Sequence, residues 1–132
     1  GDVFKDTGSF TGGIGNVYYK NGSSWAGAVA ATDEFGAKRL VGISLSDNEP
    51  IFLLKGYAAL PPQQFTGLTD ITDVGKSLYL STDTGKLTII PPYESGNAIR
   101  ILGTVLALHS PTGIIDGVMI KFDPSSVWIE QE

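Results

Sequence analysis

Along the chain, apolar side chains come in short runs separated by Gly, Pro, Asn or Asp, and several of the runs alternate with polar residues. Ser77-Leu78-Tyr79-Leu80-Ser81 is the clearest case, with Leu78 and Leu80 on one face and the serines on the other, the mark of a half-buried strand. The same reading predicts strands at Asn16–Lys20, Trp25–Ala31, Lys38–Ser46 and Pro50–Leu60, the last broken at Gly56. A second set follows at Ser77–Ser81, Lys86–Ile90, Ala98–Leu108, Ile114–Phe122 and Val127–Glu130. Asn21-Gly22 suits a two-residue type I′ hairpin turn, whose central positions both need positive φ, and Thr82–Gly85 is the matching turn of the second set. Gln63–Val74 reads as a polar loop. Ala98–Leu108 is apolar on both faces, as a central strand covered on both sides would be.

The two sets resemble each other. A shift of 61 residues pairs Tyr18 with Tyr79, Ala37 with Ala98, Arg39 with Arg100, Gly42 with Gly103 and Leu45 with Leu106. This is a repeated strand unit and not a solenoid, since a stacked array needs about three copies. Residues Gly1–Gly15 carry Gly at positions 1, 8, 12, 13 and 15 and few apolar side chains, which predicts an extended arm. Such an arm is ordered only if it lies on its own body or on a neighbouring subunit. The expected fold is therefore all-β: a compact sandwich or barrel of short antiparallel strands with an internal repeat, residues 16–132 forming one domain behind an arm of residues 1–15.

Composition sharpens this picture. The 17 Gly in 132 residues are nearly twice the usual share of roughly 7%. The longest window free of both Gly and Pro is Lys76–Thr84, shorter than a mean helix of about 11 residues, so a helical domain is excluded. With no Cys, disulfide scaffolds, thiolate metal sites and Cys nucleophiles are excluded, and with His109 as the one histidine a two-His zinc site is too. Nine Lys plus Arg against fourteen Asp plus Glu give a net charge of −5, which makes nucleic acid and anionic membranes unsuitable partners. No apolar run approaches the roughly 18 residues that span a bilayer. Nothing at the N-terminus resembles a signal peptide, and an opening Gly1 points to methionine removal, processing or a cloning remnant.

Candidate chemistry is thin. Gly12-Gly13-Ile14-Gly15-Asn16 begins like a dinucleotide fingerprint, but Tyr18 replaces the third Gly and neither a preceding strand nor a following helix is predicted. Asp70, Asp73 and Asp83 could offer oxygen ligands to calcium, although capping and turn roles suit them better. Asp116, between Ile115 and Gly117, and His109, before Ser110-Pro111, read as turn residues, with a polar contact at a subunit interface as the functional alternative for His109. Tyr18, Tyr19, Trp25, Tyr57, Tyr93 and Trp128 could form a sugar-stacking platform, and core or interface positions explain them more simply. No catalytic, cofactor-binding or metal-binding residue is assigned, and no cofactor is expected.

Gly67-Leu68-Thr69, Gly75-Lys76-Ser77-Leu78-Tyr79-Leu80-Ser81, Gly85-Lys86-Leu87-Thr88, Pro91-Pro92, Gly96-Asn97 and Ile101–Leu106 together resemble a β-rich module of tailed-bacteriophage virion proteins, found in capsid decoration proteins, head fibres and tail-fibre segments. The closing Ile120–Pro124 and Val127–Glu130 look like the end of many phage structural proteins. The resemblance implies an all-β body, a homotrimer and a place on the outer surface of the particle, after synthesis in the bacterial host cytoplasm. Its partners would be other copies of the chain and the major capsid protein or another virion protein. The expected function is a non-enzymatic virion structural protein, a capsid exterior decoration or head-fibre protein. Two alternatives stay open: a tail-fibre or receptor-binding module recognising a bacterial surface, and a glycan-cleaving β domain.

Overall fold

Turn glycines and prolines cut the chain into strands of two to ten residues. The computed structural model describes residues 1–31, 37–68 and 71–131. The strands are β1 (Asp2–Lys5), β2 (Val17–Asn21), β3 (Ser24–Gly27), β4 (Val41–Ser44), β5 (Ile51–Leu60), β6 (Phe65–Thr66), β7 (Ser77–Leu80), β8 (Leu87–Thr88), β9 (Ala98–Ile99), β10 (Ile101–His109), β11 (Gly117–Phe122) and β12 (Ile129–Glu130). Helix among the described residues is limited to two three-residue 3-10 turns, Pro62–Gln64 and Ile71–Asp73. The all-β expectation holds.

One curled sheet, in the order β3-β2-β4-β5-β11-β10-β7-β8-β6, forms a half-barrel, with β1 added on β5, and β9 and β12 make a small second sheet. From the central β5–β11 pair the order runs outward alike in both directions: β5-β4-β2-β3 on one side, β11-β10-β7-β8 on the other. Under the 61-residue shift these are equivalent strands, so the repeat read from five identities is a repeat of topology. Its glycines mark close approach of neighbouring strands. A Cβ on Gly42 would sit 2.9 Å from Phe52 Cβ, and one on Gly103 only 2.0 Å from the Lys121 carbonyl oxygen.

Strand β5 is not broken at Gly56 but changes partners there. Residues 51–55 pair with β1, Phe52 and Leu53 also with β4, and residues 56–60 with β11, while Gly56 takes a φ of 142° that a side chain would disfavour. The first hairpin turn also differs from expectation by one residue. Asn21 pairs with Ser24, so Gly22-Ser23 forms the turn. Gly22 carries the positive φ and no non-glycine residue among those described does, so the turn places Gly first instead of using Asn21 in a left-handed conformation.

The concave face of the sheet holds the core. Val17, Tyr19, Val41 and Ile43 from the first unit meet Leu78, Leu80, Leu102, Val105, Val118, Ile120 and Phe122 from the second. Leu78 and Leu80 occupy the inward positions of the alternating β7, as their pattern required. The residues after β3 stitch the units together: Ala28 O accepts from Gly85 N at 2.7 Å, Ala30 N donates to Ser81 O at 2.9 Å, and Ala30 O accepts from Ala98 N at 2.6 Å.

The two members of the Arg39/Arg100 pair have diverged. Arg39 is exposed, whereas Arg100 is 7% exposed and donates from Nε to Ser125 O (2.6 Å) and from Nη1 to Arg39 O (2.6 Å). Its guanidinium lies 5.8 Å from the Trp128 ring centroid. Burial pulls the Arg100 pKa below its ordinary value, and the group remains a cation held by carbonyl oxygens. Arg100 thereby ties β9, the first unit and the C-terminal segment to one point.

Candidate functional site

The two halves of the sheet's convex face are covered differently. In the first unit Tyr18, Trp25 and Phe52 project outward, opposite the core-facing Val17, Ala26 and Leu53. The N-terminal arm covers them. Phe10 meets Tyr18 at 5.0 Å and Phe52 at 5.2 Å between ring centroids, both edge to face, and Trp25 stacks on Phe52 at 3.9 Å. Phe4 adds a tilted contact with Trp25 at 6.5 Å. The two edge-to-face contacts of Phe10 are a preferred aromatic geometry.

Polar contacts fix the arm over this cluster. The Asp6 carboxylate accepts from Lys20 Nζ and, at 2.9 Å, from Trp25 Nε1, which with the Thr7 amide holds its pKa at about 2, against an ordinary 3.8. The arm expected to be weakly structured therefore contains β1 and lies on its own chain. Val3 stays 56% exposed on it, while Phe10 is buried.

In the second unit no segment among the described residues plays that part. Cross-strand pairing sets Tyr57, Lys121, Thr104 and Ser77 in one outward row and Ala59, Met119 and Ala107 in the next, with Leu106 turned outward at a bulge. Tyr79, the repeat counterpart of Tyr18, points to the same side beside Ile101. Tyr57 is 69% exposed, Ile101 46%, and Leu106 and Met119 40% each. Strand β10 is thus central, as its sequence predicted, but covered on the inner face alone. Tyr57 and Ala59 also border an apolar groove of about 520 Å³ shared with Val3, Ile14 and Leu45.

The other residues singled out in the sequence are occupied structurally or stand apart. In Gly12–Asn16 the backbone amides are satisfied within the chain: Gly12 N donates to Asp47 O, Gly13 N to Tyr18 Oη, Ile14 N to Asp47 Oδ1 and Gly15 N to Ser44 O. No free row of donors faces a phosphate there. Asp73 is buried and accepts from Lys76 Nζ at 2.9 Å; Asp83 lies in the exposed β7–β8 turn; Asp70 falls outside the described residues. No cluster of three or more metal-ligating side chains occurs among the described residues. His109 Nδ1 and Asp116 Oδ1 bond to each other across the β10–β11 hairpin, both largely exposed; Asp116 lies just before β11, whereas His109, read as a turn residue, ends β10 and pairs with Gly117.

The six aromatic residues do not form one platform. Tyr19 is core, Tyr18 and Trp25 belong to the arm-covered cluster, Trp128 lies beside Arg100, Tyr57 is on the open face, and Tyr93 stands 67% exposed at a separate cleft. Uneven coverage of the repeat was beyond sequence reasoning. The signal was there in part: Phe4 and Phe10 precede the first unit, and nothing equivalent in the Gln63–Val74 loop precedes the second except Phe65, which is buried in the core. Compared with protein-family models, curated proteins and solved structures, the chain matches none of them.

Proposed function

We propose that the protein is a non-enzymatic structural protein of a bacteriophage virion, a decoration or head-fibre protein on the capsid exterior, assembled as a homotrimer. The observation that carries the self-association is the uncovered face of the second unit. Where the first unit has an aromatic arm over its outer side chains, the second offers Ile101, Leu106, Met119 and Tyr57 to solvent. Burying such a patch against another copy removes apolar area from water and completes on the second unit what the arm does on the first.

The virion location and the number three rest on the motif resemblance. The acidic charge balance suits a surface facing solvent and away from packaged DNA.

Gold-labelled antibody against the chain, applied to intact particles, tests the location. Label over the head exterior is the expected result. Label at the tail tip would replace this reading with the receptor-binding one, and particles free of the chain would overturn both.

A further inference from the structure

We infer that the cleft beside Tyr93 binds an uncharged saccharide. It lies where β6, β7 and β8 end, between Thr66-Gly67, Ser81-Thr82 and the segment 88–94, closed by Asn97, and encloses about 470 Å³. That is within the range of roughly 300 to 1,000 Å³ typical of small-ligand sites. None of its residues belongs to the open outer face, so self-association there leaves the cleft accessible, and the inference does not rest on the virion reading.

The walls divide into a rigid part and an available part. Thr66 Oγ1 and Ser81 Oγ bond to each other at 3.0 Å, Ser81 Oγ accepts from Asp83 N at 3.0 Å, and Thr88 Oγ1 accepts from Ile90 N at 3.0 Å. These hydroxyls shape the floor. Pro91 and Pro92 fix the backbone leading to Tyr93, with Pro92 buried, so the ring is presented from a stiff segment at little entropic cost on binding. The Tyr93 ring makes no aromatic contact among the described residues, and the Glu94 carboxylate and Asn97 side-chain amide make no hydrogen bond among them either.

A pyranose ring presents an apolar C–H face and an edge of hydroxyls. A flat exposed aromatic ring matches the first, and a planar carboxylate with a planar amide matches adjacent hydroxyls on the second. No Lys, Arg or His is among the described residues that line the cleft. Glu94 is the one carboxylate among the described residues that line it, on a chain of net charge −5. Phosphates, nucleotides and uronic acids would therefore meet repulsion without a counter-charge. Hydrolysis of the usual kind needs two carboxylates about 5 to 9 Å apart. The described lining supplies one, which favours a site that holds its ligand over one that cuts it.

The test is titration calorimetry of the full chain with maltotriose, lactose and chitotriose, a galacturonate trimer as the anionic control and a proline-rich peptide as the rival occupant. At least one neutral sugar should bind with a dissociation constant near 1 mM. Tyr93→Ala should weaken that binding about tenfold or more, whereas Tyr93→Phe retains it. Both variants should melt with the parent, since the side chain is largely exposed. Glu94→Gln should narrow the discrimination against the galacturonate trimer. The inference is overturned if none of the three neutral sugars binds at about 20 mM, if binding survives Tyr93→Ala unchanged, or if the peptide alone binds in a Tyr93-dependent way. Absence of the chain from virions would leave these outcomes unaffected.

Discussion

Replacing Phe10 by Ala isolates what holds the N-terminal arm. The side chain is 8% exposed and lies edge to face against both Tyr18 and Phe52. A buried Phe removes roughly 150 to 200 Å² from water, which at about 25 cal/mol per Å² is about 4 to 5 kcal/mol as an upper estimate. The arm retains β1 pairing and the Asp6 contacts, and it can yield locally before the sheet does, so the expected loss is about 3 kcal/mol. For a domain of this length that lowers the melting temperature by roughly 10 °C. Phe4→Ala is the internal control, because Phe4 is 40% exposed and only tilted against Trp25, and should cost about 1 kcal/mol. Thermal unfolding followed by tryptophan emission in a Trp128→Phe background lets Trp25 report alone. Phe10→Ala should also shift native emission to the red, as the ring stacked on Phe52 gains water. A melting temperature within about 2 °C of the parent would refute the reasoning, since the arm would then owe its order to something other than its own chain.

Asp6 gives the domain a pH dependence of known sign. Its folded pKa is depressed to about 2 from 3.8, so its stabilising contribution is complete above 3.8 and disappears as pH falls through 2. The difference in melting temperature between the parent and Asp6→Asn should accordingly shrink between pH 5 and pH 2. Gly103→Ala should cost more than Gly42→Ala, about 3 against about 1 kcal/mol by urea unfolding, because the first meets a backbone oxygen at 2.0 Å and the second a side-chain carbon at 2.9 Å. Arg100→Met leaves the Arg39 and Ser125 carbonyls without their donor and should cost about 2 to 4 kcal/mol in the same assay.

Much of the sheet was legible because strand alternation and turn chemistry are local. Leu78 and Leu80 point inward as their spacing demands, and the 61-residue repeat appears in the strand order. Where reading failed, the deciding contacts were distant in sequence. The turn at Gly22-Ser23 is set by the pairing of Asn21 with Ser24, which a dipeptide cannot reveal. Ile101 and Leu106 look like core residues by hydropathy, and only the full strand order shows that nothing among the described residues covers their face. Arg100 gave no hint of burial either, since its partners are backbone carbonyls that carry no sequence signature. Tyr93 was visible as one aromatic among six; its cleft depends on the meeting of β6, β7 and β8.

The central claim is that one half of the repeat is covered by the arm and the other half by a second copy of the chain. Light scattering coupled to size-exclusion chromatography tests it most directly, comparing the parent with a Leu106→Lys, Met119→Lys double variant at about 50 μM. Both side chains are 40% exposed on the single chain, so the variant should keep the strand-rich circular dichroism, with its melting temperature lowered only by the association it loses. The account predicts a trimeric mass for the parent and a monomeric mass for the variant. A monomeric parent, or a variant that stays trimeric, would contradict it.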